Sequence, residues 1–321
     1  MLRSVLALVV IALVIGITTE GVGAQQYPSK TVRVIIGVAP GGLSDVLARH
    51  IAAGLSTAWG QQVLVESRPG ASDVIAAEVV TKFPPDGYTL YQANDTVLVL
   101  NGLIRKNLPF NPETDFTPVH GIIQVRSLLV ARHDLPANTV AELFALARQK
   151  PLTFGTFGIG SASHLNAEQL ALDAGVKLTH VPYRGGGDLA RGLLSGEFDF
   201  GLFSPSTYVS LIKAGKVKGL AWDGSRRHVA LPDVPTFAEA GIRFRTGGWF
   251  AMFAKAGTPA PIVARVSADM TKVLALPVVE KYVAGIDAEV MSIPSAQLDQ
   301  LLKDSRARYG ALLKTLDLRL D

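Results

Sequence analysis

Two glycine-rich turns constrain this chain more than any other part of its sequence. They are Pro40-Gly41-Gly42-Leu43-Ser44-Asp45 and Gly155-Thr156-Phe157-Gly158-Ile159-Gly160-Ser161, and each lies between a β-branched or aromatic run and an alanine- and leucine-rich helical segment. Glycine allows the backbone to turn sharply, and the helix that follows presents unpaired N–H groups at the positive end of its dipole. Such a turn is typical of an anion site. Two of them, far apart in the chain, predict two lobes that hold one anion between them.

The N-terminus predicts export. Arg3 precedes an apolar run from Val5 to Ile17, and Val22-Gly23-Ala24 supplies small residues for cleavage, which is the pattern of a secretory signal peptide over residues 1–24. A membrane anchor is the alternative, but a spanning helix needs about 20 apolar residues, and Glu20 interrupts this run. The mature chain would begin at Gln25. Because the sequence contains no cysteine, we expect neither a lipid-anchored cysteine nor a disulfide.

The composition is that of a globular protein with two domains. The chain is 48% hydrophobic and 18% charged, which is too apolar for a disordered protein. Its net charge of +4 comes from scattered lysines and arginines. A nucleic-acid surface would need a concentrated basic patch with interleaved aromatic residues, so we expect no nucleic-acid partner. A chain of 321 residues exceeds what one hydrophobic core usually organises.

Alternating strands and helices predict an α/β protein with parallel sheets. The first unit has predicted strands at 31–38, 62–66 and 88–92 and helices at 45–58 and 73–82. The second begins near 153, with helices at 161–174 and 188–194 and strands at 178–181, 198–203 and 217–222. In such units the ligand-facing loops follow the carboxyl ends of the strands. Segments near 122–131 and 249–254 would join the two units as a hinge.

Motifs along the whole mature chain add a family resemblance. In order they are Tyr27-Pro28, Ala39-Pro40-Gly41-Gly42-x-x-Asp45 with Ala48-Arg49, Arg68-Pro69-Gly70-Ala71, Pro85-Asp86-Gly87-Tyr88-Thr89-Leu90, Asp115-Phe116-x-Pro118-Val119, Gly158-x-Gly160-Ser161-x-x-His164-Leu165, Val181-Pro182-Tyr183-x-Gly185, Leu231-Pro232-Asp233-Val234-Pro235-Thr236, Glu239-Ala240-Gly241 and Gly257-Thr258-Pro259. Each motif alone is weak evidence, but the set in this order is very specific. The chain resembles the Bug family of periplasmic solute-binding proteins, the receptors of tripartite tricarboxylate transporters.

The resemblance implies a type II periplasmic-binding fold, with two lobes of parallel-rich sheets joined by a two-strand hinge. Domain 1 would comprise residues 25–125 and 251–321, and domain 2 residues 126–250. The implied function is that of a monomeric periplasmic receptor that closes on a small carboxylate and delivers it to membrane transporter subunits. No catalysis, cofactor or metal is expected. The alternative is a ligand-sensing co-receptor for a membrane sensor kinase.

Three residues depart from the family pattern. Ser67 replaces an asparagine, and Asp73 replaces a glycine and would cap the following helix with its carboxylate. Phe203 stands where many members have a small or acidic residue. An acid there could pair with an ammonium group, so Phe203 argues for a ligand without one.

Backbone N–H groups in the two turns are the first candidates for ligand binding. Those of Gly41 and Gly42 would hold a carboxylate directly or through water, and Gly158 and Gly160 with the Ser161 hydroxyl would form the matching site. Ser44 and Asp45 are also common helix caps, and Asp45 is expected to orient the turn because like charges repel. The full candidate set is Pro40, Gly41, Gly42, Ser44, Asp45, Asn94, Asp95, Thr96, Phe157, Gly158, Gly160, Ser161, His164, Tyr183, Phe203 and Ser204.

Several of these candidates have a structural alternative. His164 is either a packed or capping residue or a ligand contact. Tyr183 is either a core aromatic or closes over the ligand with a free hydroxyl, and Phe157 and Phe203 are either pocket walls or core residues. Asn94, with the two residues after it, ends the third predicted strand, where the topology places a ligand-facing loop.

Enzymatic alternatives fit the sequence poorly. The run from Gly158 to Ser163 is close to a dinucleotide-binding pattern, but Val181-Pro182-Tyr183 stands where the ribose-binding acid is required. The six histidines show no metal-ligand spacing. A hydrolase that uses Ser161 with His164 is disfavoured, because their spacing at one helix start places them poorly for a base that a third group orients.

Overall fold

A computed structural model describes residues 27–71, 73–183, 186–244 and 248–316, so the predicted signal peptide lies outside the described residues. The strands are β1 (Val32–Ile36), β2 (Val63–Ser67), β3 (Thr89–Asn94), β4 (Phe116–Val125), β5 (Leu128–Arg132), β6 (Leu152–Thr156), β7 (Leu178–Pro182), β8 (Phe200–Phe203), β9 (Val217–Trp222), β10 (Trp249–Lys255) and β11 (Ala288–Pro294). The helices are α1 (Leu43–Trp59), α2 (Val74–Thr81), α3 (Asn101–Ile104), α4 (Val140–Gln149), α5 (Ala162–Ala174), α6 (Gly186–Ser195), α7 (Pro205–Lys213), α8 (Ala260–Leu274), α9 (Pro277–Gly285) and α10 (Ser295–Leu316), with a π-helical turn (Thr96–Leu100) before α3.

The strands form two sheets of similar design. One has the order β11-β4-β10-β3-β1-β2 and the other β7-β6-β8-β5-β9. Three neighbouring strands in each run parallel, β2-β1-β3 and β7-β6-β8, and the other pairings are antiparallel. The sheets are therefore mixed, because β10 and β5 each run antiparallel to the strands on both sides of them. We call the six-stranded sheet with its helices the first lobe and the five-stranded sheet with its helices the second lobe.

The predicted alternation of strands and helices is confirmed in both lobes. In α1 the apolar residues Leu47, Ile51 and Leu55 recur at helical spacing and are fully buried against the sheet. The segment predicted as one hinge strand near 122–131 is instead two strands. β4 belongs to the first sheet and β5 to the second, and only Arg126 and Ser127 separate them.

Helix α10 links the lobes. Its Leu298, Leu302 and Tyr309 are buried in a core cluster of the first lobe, and Leu165 from α5 of the second lobe belongs to the same cluster. The Tyr309 hydroxyl also lies 3.4 Å from the Asn166 side-chain oxygen. The start of α5, which follows the second glycine turn, therefore packs directly against the first lobe.

Candidate functional site

The first turn, residues 40–45, connects β1 to α1 and is held by a side chain of that helix. Gly41 has φ +89°, and its N–H donates to the Asp45 carboxylate at 2.9 Å. The Arg49 guanidinium donates to the same carboxylate at 3.0 Å and, with the Gly41 N–H, lowers the pKa of Asp45 against the effect of burial. Asp45 thus orients the turn, and the Gly41 N–H expected to hold a ligand is already bound to it.

Gln92, which the sequence analysis did not identify, stabilises the same turn by hydrogen bonds from β3. Its side-chain amide donates to the Ser44 carbonyl oxygen at 2.8 Å and to the Ser44 hydroxyl oxygen at 2.9 Å. Gln92 lies in β3 and is almost fully buried, so it ties the start of α1 to the neighbouring strand. The available signal was a glutamine between Tyr91 and Ala93, in a strand whose side chains are buried from Thr89 to Ala93.

The second turn, residues 155–161, connects β6 to α5 and is also held from its helix. Gly158 and Gly160 have φ +109° and +74°, and the Gly160 N–H donates to His164 Nδ1 at 3.1 Å. The Ser161 hydroxyl donates to the Gly158 carbonyl at 2.7 Å and accepts from the His164 N–H at 3.3 Å. Ser161 is therefore a helix cap here, and its hydroxyl proton is bound within the turn.

His164 is a packed residue in this structure. Its ring stacks on His180 with centroids 3.9 Å apart, and both rings stack on Phe154. His180 Nε2 lies 2.5 Å from the hydroxyl of Thr156, the last residue of β6. The stacked pair His164 and His180 therefore stabilises the second turn through its bonds to Gly160 and Thr156.

Acidification should destabilise the fold through the buried His120 and the half-buried His180. Burial lowers the pKa of His180 to about 4, with a contribution from His164, and burial likewise lowers the pKa of His120 to about 4. Because histidine in an unfolded chain titrates near ~6.5, the unfolded state binds more protons between that pH and 4, and stability falls across this window. Asp95, whose pKa burial raises to about 6, acts in the opposite direction and offsets part of the loss. Thermal melts from pH 7 to pH 4 should show a falling Tm, flattened by His180→Asn but not by His133→Asn at an exposed position; a constant wild-type Tm would contradict this.

The two turns share one construction. In each, the N–H of a glycine with positive φ is held by the side chain four residues later, Asp45 in the first lobe and His164 in the second. That bond holds the glycine in place. The N–H groups of the first helical turn, at the start of the helix, have no partner within their own helix. In the part of the chain that the structure describes, no hydrogen bond or ion pair runs directly between the two turns. The arrangement offers two helix N-termini to an anion and contains no nucleophile–base–acid triad.

The aromatic residues near the second turn differ in how exposed they are. Phe157 is 48% exposed and Phe203 only 2%, and the two rings meet edge to face at 6.5 Å. Phe203 is thus a core residue of the second lobe, stacked on Tyr208 at 4.7 Å, and Phe157 is the ring at the surface. The Tyr183 hydroxyl donates to Glu197 at 2.7 Å, so it is not free as one alternative required.

The loop after β3 is braced by buried polar groups. The Asn94 side chain donates to the Asp73 carboxylate at 3.0 Å and accepts from the Val97 N–H at 3.1 Å, while the Asp95 carboxylate accepts from the Gly248 N–H. Asp73 stands at the start of α2 with φ +68°, and its carboxylate makes no capping bond. The predicted cap is therefore wrong, because that carboxylate is directed to Asn94.

The remaining candidates lie at exposed positions or at the loop edge. Pro40 and Gly42 are exposed beside Gly41, and Thr96 is half-buried at the start of the π-helical turn. Ser204 is exposed at the start of α7. Within the described ranges, no three histidine, cysteine, aspartate or glutamate side chains are grouped to hold a metal ion. None of the helices in those ranges has the length and apolar character of a membrane span.

Comparison with solved structures places this geometry in a known fold. The R. palustris protein Rpa4515, solved with adipate, is 33% identical over 91% of this chain and 99% of its own, with a TM-score of 0.73. MatC from Rhodopseudomonas palustris, with bound malate, is 30% identical over 89% of this chain and 100% of its own, with a TM-score of 0.68. The periplasmic binding protein BugD is 30% identical over 91% of this chain and 99% of its own, with a TM-score of 0.69.

The family model described as "Tripartite tricarboxylate transporter family receptor" matches residues 47–318. The predicted two-lobed periplasmic-binding fold and the resemblance to Bug proteins are thereby confirmed. The proteins it resembles are periplasmic binding proteins and receptors, so the chain is a periplasmic solute-binding protein and not an enzyme. It belongs to the tripartite tricarboxylate transporter receptor family.

Proposed function

We propose that this protein captures a small carboxylate between its two glycine turns and delivers it to a membrane transporter of the tripartite tricarboxylate type. The shared construction of the turns carries the proposal, because each lobe presents a helix start fixed by a glycine and a side-chain acceptor. The dicarboxylates bound by Rpa4515 and MatC support the ligand class.

Hinge closure is the mechanism that this arrangement favours. A carboxylate that bridges the two helix starts binds a closed form better than an open one and shifts the population towards it. In this scheme residues 25–125 and 251–321 form one domain and residues 126–250 the other, and they move about the short connection at Arg126. Two exposed apolar side chains of the second turn, Phe157 and Ile159, would cover the apolar part of the ligand.

The structure removes one argument about the ligand. Of the two interpretations of Phe203, the pocket-wall one would disfavour an ammonium group, but its ring is buried in the core of the second lobe. It gives no reason to exclude amino acids. A calorimetric series of succinate, adipate, malate and aspartate would define the preference directly.

Carboxylates should stabilise the protein in a thermal-shift screen, and neutral sugars should not. A ligand at a hundredfold excess over its dissociation constant adds ~2.7 kcal/mol of stability, which gives a clear rise in Tm. Mono-, di- and tricarboxylates are compared with glucose and maltose at equal ionic strength. A strong response to a sugar with none to any carboxylate would contradict the proposed anion site.

Export and delivery can be tested in cells. We infer cleavage after Ala24, so N-terminal sequencing of protein from the periplasm should begin at Gln25. A start at Met1 would show that the segment is retained, and a start between Met1 and Gln25 would contradict the inferred cleavage position. Deletion of the gene should abolish uptake of the carboxylate identified by calorimetry, with restoration by the wild-type gene.

A further inference from the structure

A cavity of about 280 Å³ lies where the two lobes meet. None of the candidate ligand-binding residues lines it. Its wall includes Gln124, Trp249, Asp304 and Arg308 from the first lobe, Arg126 from the connection between the lobes, and Asp223 from the segment after β9 of the second lobe.

Two buried N–H donors in this wall have no acceptor among the residues that the structure describes. They are Trp249 Nε1 and Arg126 Nε, for which the described part of the chain supplies no hydrogen-bond partner. Trp249 is only 1% exposed. The other two tryptophans differ, since Trp59 Nε1 donates to Asp269 at 2.9 Å and Trp222 Nε1 to the Arg226 carbonyl at 3.0 Å. Proteins rarely leave buried donors unpaired, so two in one cavity indicate a bound acceptor.

The charged side chains of the wall limit the charge that the bound acceptor can carry. Arg126 binds Glu289 at 2.6 Å and lies 3.9 Å from Asp223. Two arginines, Arg126 and Arg308, therefore stand against Asp223 and Asp304 around the cavity. Each of these carboxylates repels an anion, and the repulsion is twice as strong for a dianion as for a monoanion, so a ligand with a single negative charge is favoured over one with two. Two donors match the two oxygens of one carboxylate.

We propose that this cavity binds a short monocarboxylate, whose oxygens accept hydrogen bonds from Trp249 Nε1 and Arg126 Nε. Because Trp249 belongs to the first lobe, Asp223 to the second and Arg126 to the connection between them, occupancy stabilises the lobe arrangement seen here. The bound anion is thus an effector of the lobe arrangement, coupled to the main site wherever the ligand there also binds that arrangement more tightly or more weakly than another. The proposal does not depend on where the transported ligand binds.

Acetate is the probe, with chloride at equal ionic strength as reference. The chain has three tryptophans, so Trp59→Phe with Trp222→Phe leaves Trp249 as the only reporter of indole fluorescence. Acetate should change that fluorescence saturably, and chloride should not. In calorimetry, Trp249→Phe, which keeps the ring and removes the N–H, should weaken acetate binding at least about tenfold. The matched control Trp59→Phe should bind acetate as the wild type does.

A separate variant distinguishes this cavity from the turns. Acetate binding should persist in Gly42→Val, which alters the first turn alone. If acetate acts no differently from chloride, the cavity holds only water, and the proposal is overturned. It is also overturned if Trp249→Phe leaves affinity unchanged or if Gly42→Val abolishes the response. Should Trp249→Phe fail to fold, the Trp249 fluorescence titration with and without Gly42→Val decides the question.

Discussion

Gly42→Val should abolish carboxylate binding while the protein stays folded. Gly42 has φ −79° and ψ 171°, which any residue adopts, and an added Cβ would meet only the Ala39 carbonyl oxygen at 3.8 Å. The cost to folding is therefore about 1 kcal/mol, from a poorer residue at the helix start. The valine side chain would block the approach of an anion to the N–H groups of the first turn of α1. Since each hydrogen bond to a charged group contributes about 1.5–3 kcal/mol, the loss of two weakens binding by about 100-fold or more.

Calorimetry beside circular dichroism measures this effect, and Gly285→Val is the matched control. Gly285 ends α9, and an added Cβ there meets nothing within 4 Å, so both fold and affinity should be unchanged. Gly160→Val is a poorer test, because Gly160 has φ +74° and a side chain there strains the backbone whatever the ligand does. A folded Gly42→Val protein with wild-type affinity would place the ligand away from the first turn.

The sequence predicts local features of this protein well. Strands and helices were located because apolar residues recur at strand or helix spacing, as Leu47, Ile51 and Leu55 do in α1. The glycine turns were located because positive φ at Gly41, Gly158 and Gly160 requires that residue type. Both kinds of signal lie within a few residues of the feature they predict.

Contacts between distant residues were beyond the sequence. Gln92 supports Ser44 across 48 positions, and Asn94 redirects the Asp73 carboxylate across 21, which no local pattern encodes. The membership of each sheet was also beyond local patterns, because β10 returns to the first sheet after the whole second lobe. The cavity between the lobes has walls from residue 124 to residue 308 and became visible only in the folded chain.

His164→Ala should harm both stability and binding more than Ser161→Ala does. His164 Nδ1 is the acceptor for the Gly160 N–H, and its buried ring stacks on His180 and Phe154. Alanine leaves that N–H unpaired and opens a cavity, so unfolding should require about 2–4 kcal/mol less free energy. Loss of the Ser161 cap costs about 1 kcal/mol and leaves the glycine held.

His164→Asn separates the hydrogen bond from the packing. The asparagine side-chain oxygen takes the place of Nδ1, so it can still accept from the Gly160 N–H, although the stacked ring is lost. Binding should therefore recover to near the wild-type affinity in His164→Asn, while the free energy of unfolding recovers only in part. Urea melts and calorimetry on the three variants measure the two effects separately. If the asparagine variant binds as weakly as the alanine variant, the bond to Gly160 does not shape the site, and His164 acts through ring packing alone.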